Sequence, residues 1–184
     1  MKKIVKNIID QQNDNSIAIT SSEGSPLSYG DLKVLINKIS SQLSANGISN
    51  KDRAAIVLPN GPYMATTFLS ISSYMSAAPL NPNYKEEEFE FYLSDLKPKI
   101  LIVEFNSKNP AVEVAKKLKI PICEIQTREN TPSGMFDLFE KNKDFILPNE
   151  EDESLVLHTS GTTSRPKIVP LSNKNIFSSS ENIS

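Results

Sequence analysis

Hydrophobic residues in the first part of the chain alternate between short unbroken runs and longer stretches in which they recur every three or four positions. The unbroken runs predict strands at 17–20, 53–58, 77–80, 100–103 and 120–125. The periodic stretches between them predict helices that each bury one face. Because strands and helices alternate, we expect an α/β fold with a doubly wound, mostly parallel sheet and flanking helices.

Several of these helices have recognisable ends. Gly47 follows the first long helix and suits a left-handed C-terminal cap. Asn83, with Glu86 three positions later, predicts the start of another helix. Asn109 and Pro110 predict the start of a further helix. The residues expected to face the core from the helices of this region are Leu32, Leu35, Ile36, Ile39, Leu43, Met64, Phe68, Ile71, Met75, Phe89, Tyr92, Leu93 and Leu96.

The last part of the chain predicts a different arrangement. A short helix is expected at 131–143, and the acidic run 150–153 predicts a solvated linker. The stretches 154–157 and 168–171 are apolar and predict two strands joined by a polar turn, which together form a hairpin. Asn173 is predicted to cap a final helix. The chain is therefore divided into an α/β part, 1–150, and a hairpin with its following helix, 151–184.

Composition excludes several classes of partner. The chain has 184 residues, 20 basic and 22 acidic, so it lacks the basic field that nucleic acid or an anionic membrane requires. No apolar run is long enough for a membrane span, and polar residues interrupt the start of the chain where a signal peptide would be apolar. We therefore expect a cytoplasmic protein. Its single cysteine, Cys123, lies in an apolar stretch and is expected to be buried and unreactive.

The polar turn of the predicted hairpin carries the candidate chemistry. Four hydroxyls, the backbone N–H groups of the turn and the ammonium of Lys167 would face one concave space, and such a set of donors suits a polyphosphate. The hydroxyls belong to Ser160, Thr162, Thr163 and Ser164. A turn of this composition alone is more often an ordinary loop whose hydroxyls bond its own backbone. The turn lacks the Gly-Lys-Ser/Thr ending of NTPase phosphate loops, which disfavours a hydrolytic NTPase.

The whole string from Leu157 to Lys167 resembles the signature of the adenylate-forming superfamily, which includes acyl-CoA synthetases, aryl-acid ligases and luciferases. That signature runs Ser-Gly-Thr-Thr-Gly-x-Pro-Lys-Gly, and this chain matches it at 160–163 and at 166–167. Ser164 and Ile168 replace the two later glycines. The variant with Ser164 and Arg165, preceded by His158, is similar to the oxalate–CoA ligase branch. The stretches 27–32 and 78–96 also resemble this superfamily, so the similarity spans the chain.

This resemblance implies the front part of a large amino-terminal AMP-binding domain, with the carboxy-terminal domain absent and no activity of the fragment alone. It implies a ligase that uses ATP, Mg²⁺ and coenzyme A to activate a small-molecule carboxylate, with no nucleic-acid partner. The nucleotide would be bound by Thr159, Ser160, Gly161, Thr162, Thr163, Ser164 and Lys167. Lys167 would also be catalytic. No metal ligand is expected within the chain, since Mg²⁺ would be held mainly by phosphate oxygens.

Other assignments stay open at this point. The chain could belong to a ligase for a fatty or aryl acid, or to a nucleotide-binding module that performs no ligase chemistry. His158 is expected to be a structural residue at a strand end, although it could border the acyl pocket. Arg165 could contact phosphate or lie exposed in the loop. The break 59–62 follows a predicted strand and could contact a ligand, although such loops are more often simple connections.

Overall fold

The computed structural model describes residues 2–22, 24–159 and 166–182. The helices are α1 Val5–Asp10, α2 Tyr29–Ala45, α3 Pro62–Ser72, α4 Glu86–Leu96, α5 Pro110–Lys117 and α6 Asn173–Glu181. The strands are β1 Ile17–Ile19, β2 Leu27–Ser28, β3 Arg53–Val57, β4 Ser76–Pro79, β5 Ile100–Val103, β6 Ile122–Glu124, β7 Gln126–Thr127, β8 Phe136–Asp137, β9 Glu153–Thr159 and β10 Lys167–Ser172. The predicted alternation of strands and helices is confirmed from β3 to β6.

A six-stranded sheet forms the centre of the fold, with the strand order β10-β9-β4-β3-β5-β6. Every neighbouring pair is parallel except β9 and β10, which are antiparallel. The expected doubly wound, mostly parallel sheet is therefore confirmed. Two short antiparallel pairs, β1 with β2 and β7 with β8, lie outside it.

Helices cover both faces of the sheet, as the hydrophobic pattern predicts. Residues of α2 and α3 pack on one face, where Ile39, Leu43 and Ile71 are fully buried. Residues of α4 and α5 pack on the other, where Phe89 and Leu93 are fully buried. A parallel strand covered on both faces has no polar side, which explains the unbroken apolar runs in the sequence.

Two of the predicted helix ends are confirmed. Gly47 adopts a φ of 73° after α2, and the N–H of Ile48 donates to the carbonyl of Leu43 at 3.1 Å. Asn109 caps α5, since its side chain accepts the N–H of Ala111 at 3.0 Å.

Two other predicted caps are wrong by one or two residues. The N-cap of α4 is Lys85, whose N–H donates to Glu88 Oε2 at 2.9 Å, whereas the N–H of Asn83 donates to the side-chain oxygen of Asn81. The N-cap of α6 is Ser172, and Asn173 is the first helical residue. Asn173 is buried because its side chain accepts the N–H of Val5 at 3.0 Å, so tertiary contact uses the group that was expected to cap the helix.

The helix predicted at 131–143 is also wrong. This segment is mostly irregular, turns at 133–134 and contains one short strand, β8, which pairs with β7. Two of its N–H groups are satisfied by a distant side chain: Gln42 Oε1, on α2, accepts from Leu138 at 3.0 Å and from Phe139 at 3.3 Å. A helix would use those N–H groups internally, so the contact with α2 favours the non-helical form.

The acidic run 150–153 is not a solvated linker. Glu153 is the first residue of β9 and forms a two-point ion pair with Arg53, at 2.6 and 2.7 Å. Asp152 pairs with Lys51, and Glu150 accepts the backbone N–H of Lys3 at 2.8 Å. The run therefore attaches the start of β9 to its neighbours.

Among residues 2–22, 24–159 and 166–182, no helix combines the length and the apolar character needed to cross a bilayer.

Candidate functional site

The predicted hairpin is present as β9 and β10. Thr159 lies opposite Lys167, and His158 lies opposite Ile168. The hydroxyl of Thr159 donates to the carbonyl of Lys167 at 3.5 Å, and both residues are exposed. Lys167 is exposed, and the ion pairs among the described residues do not include it. The hairpin therefore brings together the two predicted site residues that flank the loop.

The remaining predicted site residues lie outside the described part of the chain. They are Ser160, Gly161, Thr162, Thr163 and Ser164, and Arg165 lies outside it as well. Their assignment to nucleotide binding stays a prediction.

Thr159 and Lys167 lie at the end of the sheet where the parallel strands finish, called here the carboxyl edge. Strand β9 runs parallel to β4, so Thr159, its last residue, lies on the side where β3, β4 and β5 also end. Ligands of open α/β sheets bind in the crevices outside this edge. The position of the hairpin therefore agrees with a ligand site.

A cleft of about 320 Å³ opens at the same edge, next to the loop that follows β3. Its walls come from 58–63, from Glu104 after β5, and from 131–134. Gly134, with a φ of 86°, lies so close to α3 that a Cβ would be 2.8 Å from Thr66 Cγ2. The break at 59–62 thus lines a cavity, as the sequence allowed, and direct ligand contact there stays a prediction.

A second cleft of about 400 Å³ lies on the other side of the loop after β3. Residues 104–109, between β5 and α5, form most of it, together with Pro59 and Pro82. Phe105 is 65% exposed beside this cleft, and Lys108 contributes a cation. The carboxyl edge therefore has open polar and aromatic surface beyond the hairpin.

His158 is packed against α4. Its side chain is only 7% exposed, its Nε2 lies 3.3 Å from Asp95 Oδ2, and its ring meets the ring of Tyr92 edge-on at 4.6 Å between centroids. This environment agrees with the structural histidine that the sequence favoured. The sequence did not indicate Asp95 as a partner, because 63 positions separate the two residues.

An aromatic stack extends this contact. Tyr92 stacks on Tyr84 with 4.8 Å between ring centroids and an interplanar angle of 15°. Burial, followed by a hydrogen bond with Tyr92, raises the pKa of Tyr84 to about 12, so Tyr84 stays neutral at physiological pH. The stack connects the segment after β4 with the hairpin.

Cys123 is 4% exposed, and its thiol lies 3.6 Å from the carbonyl oxygen of Leu138. Burial, with a smaller contribution from Glu124, raises the pKa of the thiol to about 12. A thiol in that state is a poor nucleophile, in agreement with the expectation of an unreactive cysteine.

The opposite end of the sheet, where the parallel strands begin, is called here the amino edge. It has a groove of about 730 Å³ lined mainly by charged residues. Here the hydrogen bond from Arg53 to Glu153 raises the pKa of the guanidinium above its ordinary value, while burial acts in the other direction. Lys51 is paired with Asp152. Because Arg53 and Lys51 are already paired with carboxylates, these two cations are weaker candidates for contact with a charged ligand.

Comparison with known proteins decides the family. The family model described as AMP-binding enzyme matches residues 7–184. The chain belongs to this family. The oxalate–CoA ligase of Arabidopsis thaliana is 37% identical to this chain over 164 residues, covering 85% of the chain and 32% of the ligase. The oxalate–CoA ligase of Saccharomyces cerevisiae is 30% identical over 203 residues, covering 92% of the chain and 37% of the ligase.

Solved structures agree with the fold of this chain. MatB from Rhodopseudomonas palustris matches with a TM-score of 0.81 in its apo form and 0.78 with ATP bound. Both matches are 23% identical and cover 100% of this chain and 37% of MatB. The chain thus spans about a third of the length of these relatives, and it has the fold of the corresponding part of an adenylate-forming enzyme.

Proposed function

We propose that the AMP-binding chain is part of a cytoplasmic ATP-dependent carboxylate–CoA ligase, and that its acid substrate is oxalate. The observation that carries the proposal is the β9–β10 hairpin, which brings Thr159 and Lys167 together at the base of the hydroxyl-rich turn. Two oxalate–CoA ligases at 37% and 30% identity support the reaction class and the substrate.

The proposed reaction has two steps. A carboxylate oxygen of the acid attacks the α-phosphorus of ATP and forms an acyl-adenylate, while pyrophosphate leaves. The thiolate of coenzyme A then attacks the acyl carbon, forms the thioester and releases AMP. Negative charge grows on the leaving pyrophosphate in the first step, so a preorganised cation and N–H donors stabilise the transition state more than the ground state.

Lys167 is proposed to supply that cation. Its ammonium is exposed, and its backbone is held opposite Thr159 by the hairpin ladder. A charge-assisted contact from a positioned lysine is worth more than a neutral hydrogen bond. In this proposal Lys167 is catalytic, and Thr159 joins residues 160–164 in binding the phosphates of ATP.

Magnesium is expected to accompany ATP. In residues 2–22, 24–159 and 166–182 no group of three or more His, Cys, Asp or Glu side chains is arranged to hold a metal ion. Mg²⁺ accepts phosphate oxygens readily and often uses few protein ligands. The role proposed for Lys167 is independent of a protein-bound metal.

The contacts of His158 bear on which groups would recognise oxalate. A second carboxylate must be desolvated in the site, and a cation or several hydrogen bonds must compensate for that cost. His158 does not suit this task, because its Nε2 already faces the carboxylate of Asp95. Arg165, or residues outside this chain, are then better candidates.

The test is an assay of coenzyme A thioester formation by the complete protein with oxalate, acetate, octanoate and coumarate. We expect a preference for oxalate and no ATP–pyrophosphate exchange by the 184-residue chain alone. A preference for octanoate or coumarate would contradict oxalate and retain the ligase. If no acid supports exchange in the complete protein, the alternative of a non-catalytic nucleotide-binding module replaces the ligase.

A further inference from the structure

We propose that His158 is a positioning residue for the hairpin, and that it acts through a hydrogen bond to Asp95 and ring contact with Tyr92. The unit of these residues, called here the α4 anchor, would hold the base of the loop at the place where Lys167 meets phosphate. This inference rests on the proposed function for its catalytic consequence, whereas the anchor contact itself can be tested separately.

The end of the hairpin has little support from the sheet. In the described structure the ladder between β9 and β4 consists of the single pair Leu155 and Ala77, and β10 lies at the edge of the sheet. Leu157, whose side chain lies on the opposite face from His158, is 41% exposed. Beyond Leu155, the position of β9 therefore depends on the side chains that face α4.

Val156 and His158 are those side chains. Val156 is 1% exposed in the core beneath α4, and the side chain of His158 is 7% exposed at the margin of the same core. His158 directly precedes Thr159, and its partner Ile168 directly follows Lys167. A sideways shift of His158 would thus move both residues at the base of the loop.

The hydrogen bond specifies the state of the imidazole. An ionised Asp95 can only accept, so Nε2 of His158 must carry the proton. The neutral Nε2–H tautomer and the imidazolium both meet this requirement, while the neutral Nδ1–H tautomer does not. The edge-on contact with Tyr92 limits rotation of the ring, and the stack on Tyr84 limits movement of Tyr92.

Charged groups around the anchor come from several elements. Asp95 lies on α4, and it also interacts electrostatically with Arg53 at the start of β3. Glu153, at the other end of β9, neutralises Arg53 at 2.6 Å. Asp95 is therefore free to accept from His158, and its carboxylate also lines the groove that contains Arg53 and Glu153.

The catalytic test uses the complete protein and compares His158→Phe, His158→Gln and Asp95→Ala. Phe retains a ring against Tyr92 and loses the donor, whereas Gln retains an N–H donor near the position of Nε2. We expect Phe and the Asp95 variant to lower kcat for adenylation about tenfold to a hundredfold, because small displacements of catalytic groups have effects of that size. His158→Gln should recover most of the rate.

Two comparisons make this test specific. The acid KM should change by less than about threefold, because the loop serves phosphate, and a selective rise in acid KM would instead place His158 in the acyl pocket and overturn the proposal. Lys51→Ala is the matched control, since it removes the ion-pair partner of Asp152, which lies next to the other end of the strand. This control should lower the melting temperature and leave kcat unchanged. If it lowers kcat as much as His158→Phe does, His158 contributes only to the stability of the protein, and the proposal is wrong.

The contact itself is tested by ¹⁵N NMR of the imidazole in the 184-residue chain, in which His158 is the only histidine. We expect a protonated Nε2 at neutral pH, and we expect Asp95→Ala to increase the fraction of the Nδ1–H tautomer. A predominant Nδ1–H tautomer, or a spectrum that Asp95→Ala leaves unchanged, would overturn the anchor. If the complete protein shows no adenylation, the proposed function and the catalytic role of the anchor are both wrong, whatever this spectrum shows.

Discussion

The two edges of the sheet are built differently. At the amino edge, opposite charges join the starts of separate elements, as with Arg53 of β3 and Glu153 of β9. Lys51 and Asp152 add a second connection. At the carboxyl edge the strands end in polar loops that leave clefts of about 320 and 400 Å³, and the ammonium of Lys167 is exposed.

The two ends of the sheet therefore differ: ion pairs stabilise the amino edge, and open clefts lie at the carboxyl edge. A charge that is paired within the protein is less available to a ligand, whereas an unpaired cation next to open space can receive one. The ion pairs at the amino edge hold the sheet where no ligand is expected. The carboxyl edge, where we propose that ATP binds, then lies on a scaffold that is held elsewhere.

The largest expected effect comes from removing the exposed cation of the carboxyl edge. Lys167→Ala in the complete protein should lower kcat/KM for adenylation about tenfold to a thousandfold, as does the loss of one electrostatic donor. ATP–pyrophosphate exchange measures it. Lys174→Ala is the matched control, because Lys174 lies near the other end of β10 and pairs with Glu151. An unchanged rate in Lys167→Ala would assign Lys167 to structure.

The next effect concerns the wall of the cleft after β3. Gly134→Ala should lower the free energy of unfolding by about 3 kcal/mol, since it adds backbone strain to an overpacked contact with Thr66. Gly47→Ala provides the comparison: Gly47 also has a positive φ, but a Cβ there would meet nothing within 4 Å, so only about 1 kcal/mol is expected. Equal losses in urea denaturation would contradict the close packing of this wall.

At the amino edge, Arg53→Ala should cost about 2 kcal/mol of stability, because it leaves the partly buried carboxylate of Glu153 without its two-point partner. Arg53→Lys should recover only part of this loss, since an ammonium cannot reproduce the forked geometry. Denaturation of the 184-residue chain gives the numbers. Adenylation by the complete protein should be unaffected, and a large loss of kcat would break the separation between the two edges.

The smallest effect depends on pH. Burial alone would raise the pKa of Asp152, but the backbone N–H of Asn149 and the charge of Lys51 lower it below its ordinary value. A carboxylate with a lowered folded pKa stabilises the protein above the unfolded pKa, and this stability is lost as the pH falls through the folded pKa. Asp152→Asn should therefore cost about 1 kcal/mol at pH 7.

The difference between Asp152→Asn and the unmodified chain should shrink as the pH falls below about 4, the ordinary range for Asp. Thermal unfolding of both proteins between pH 7 and pH 3 measures it. A difference that stays constant over this range would show that the charge of Asp152 contributes nothing.

Much of the fold followed from local patterns. Strand β5 was predicted with the bounds Ile100–Val103, and the hairpin of β9 and β10 was predicted around the correct turn. These elements are readable because a buried parallel strand needs an apolar residue at every position, and a hairpin needs two such runs joined by a turn. The resemblance of the turn to adenylate-forming enzymes was confirmed by the family match.

The failures share another cause. The segment 131–143 has the composition of a short helix, yet Gln42, almost a hundred positions away, accepts two of its N–H groups and favours a non-helical form. Asn173 has a good capping side chain, yet the N–H of Val5 uses it. The charged run 150–153 looks like a surface linker, yet its Asp152 and Glu153 form ion pairs with Lys51 and Arg53 at the start of the sheet. In each case a distant partner outweighs a weak local preference.

The sequence by itself determined the α/β class, the two-sided burial of the strands and the family, because these depend on periodicity and on a contiguous motif. Only the tertiary structure decided which charges are already paired and which remain free. It placed Asp95 against His158 across 63 positions and left Lys167 without a described partner at the opposite strand. The physical reason is that a side chain's chemistry depends on its neighbours in space, and the fold alone chooses those neighbours.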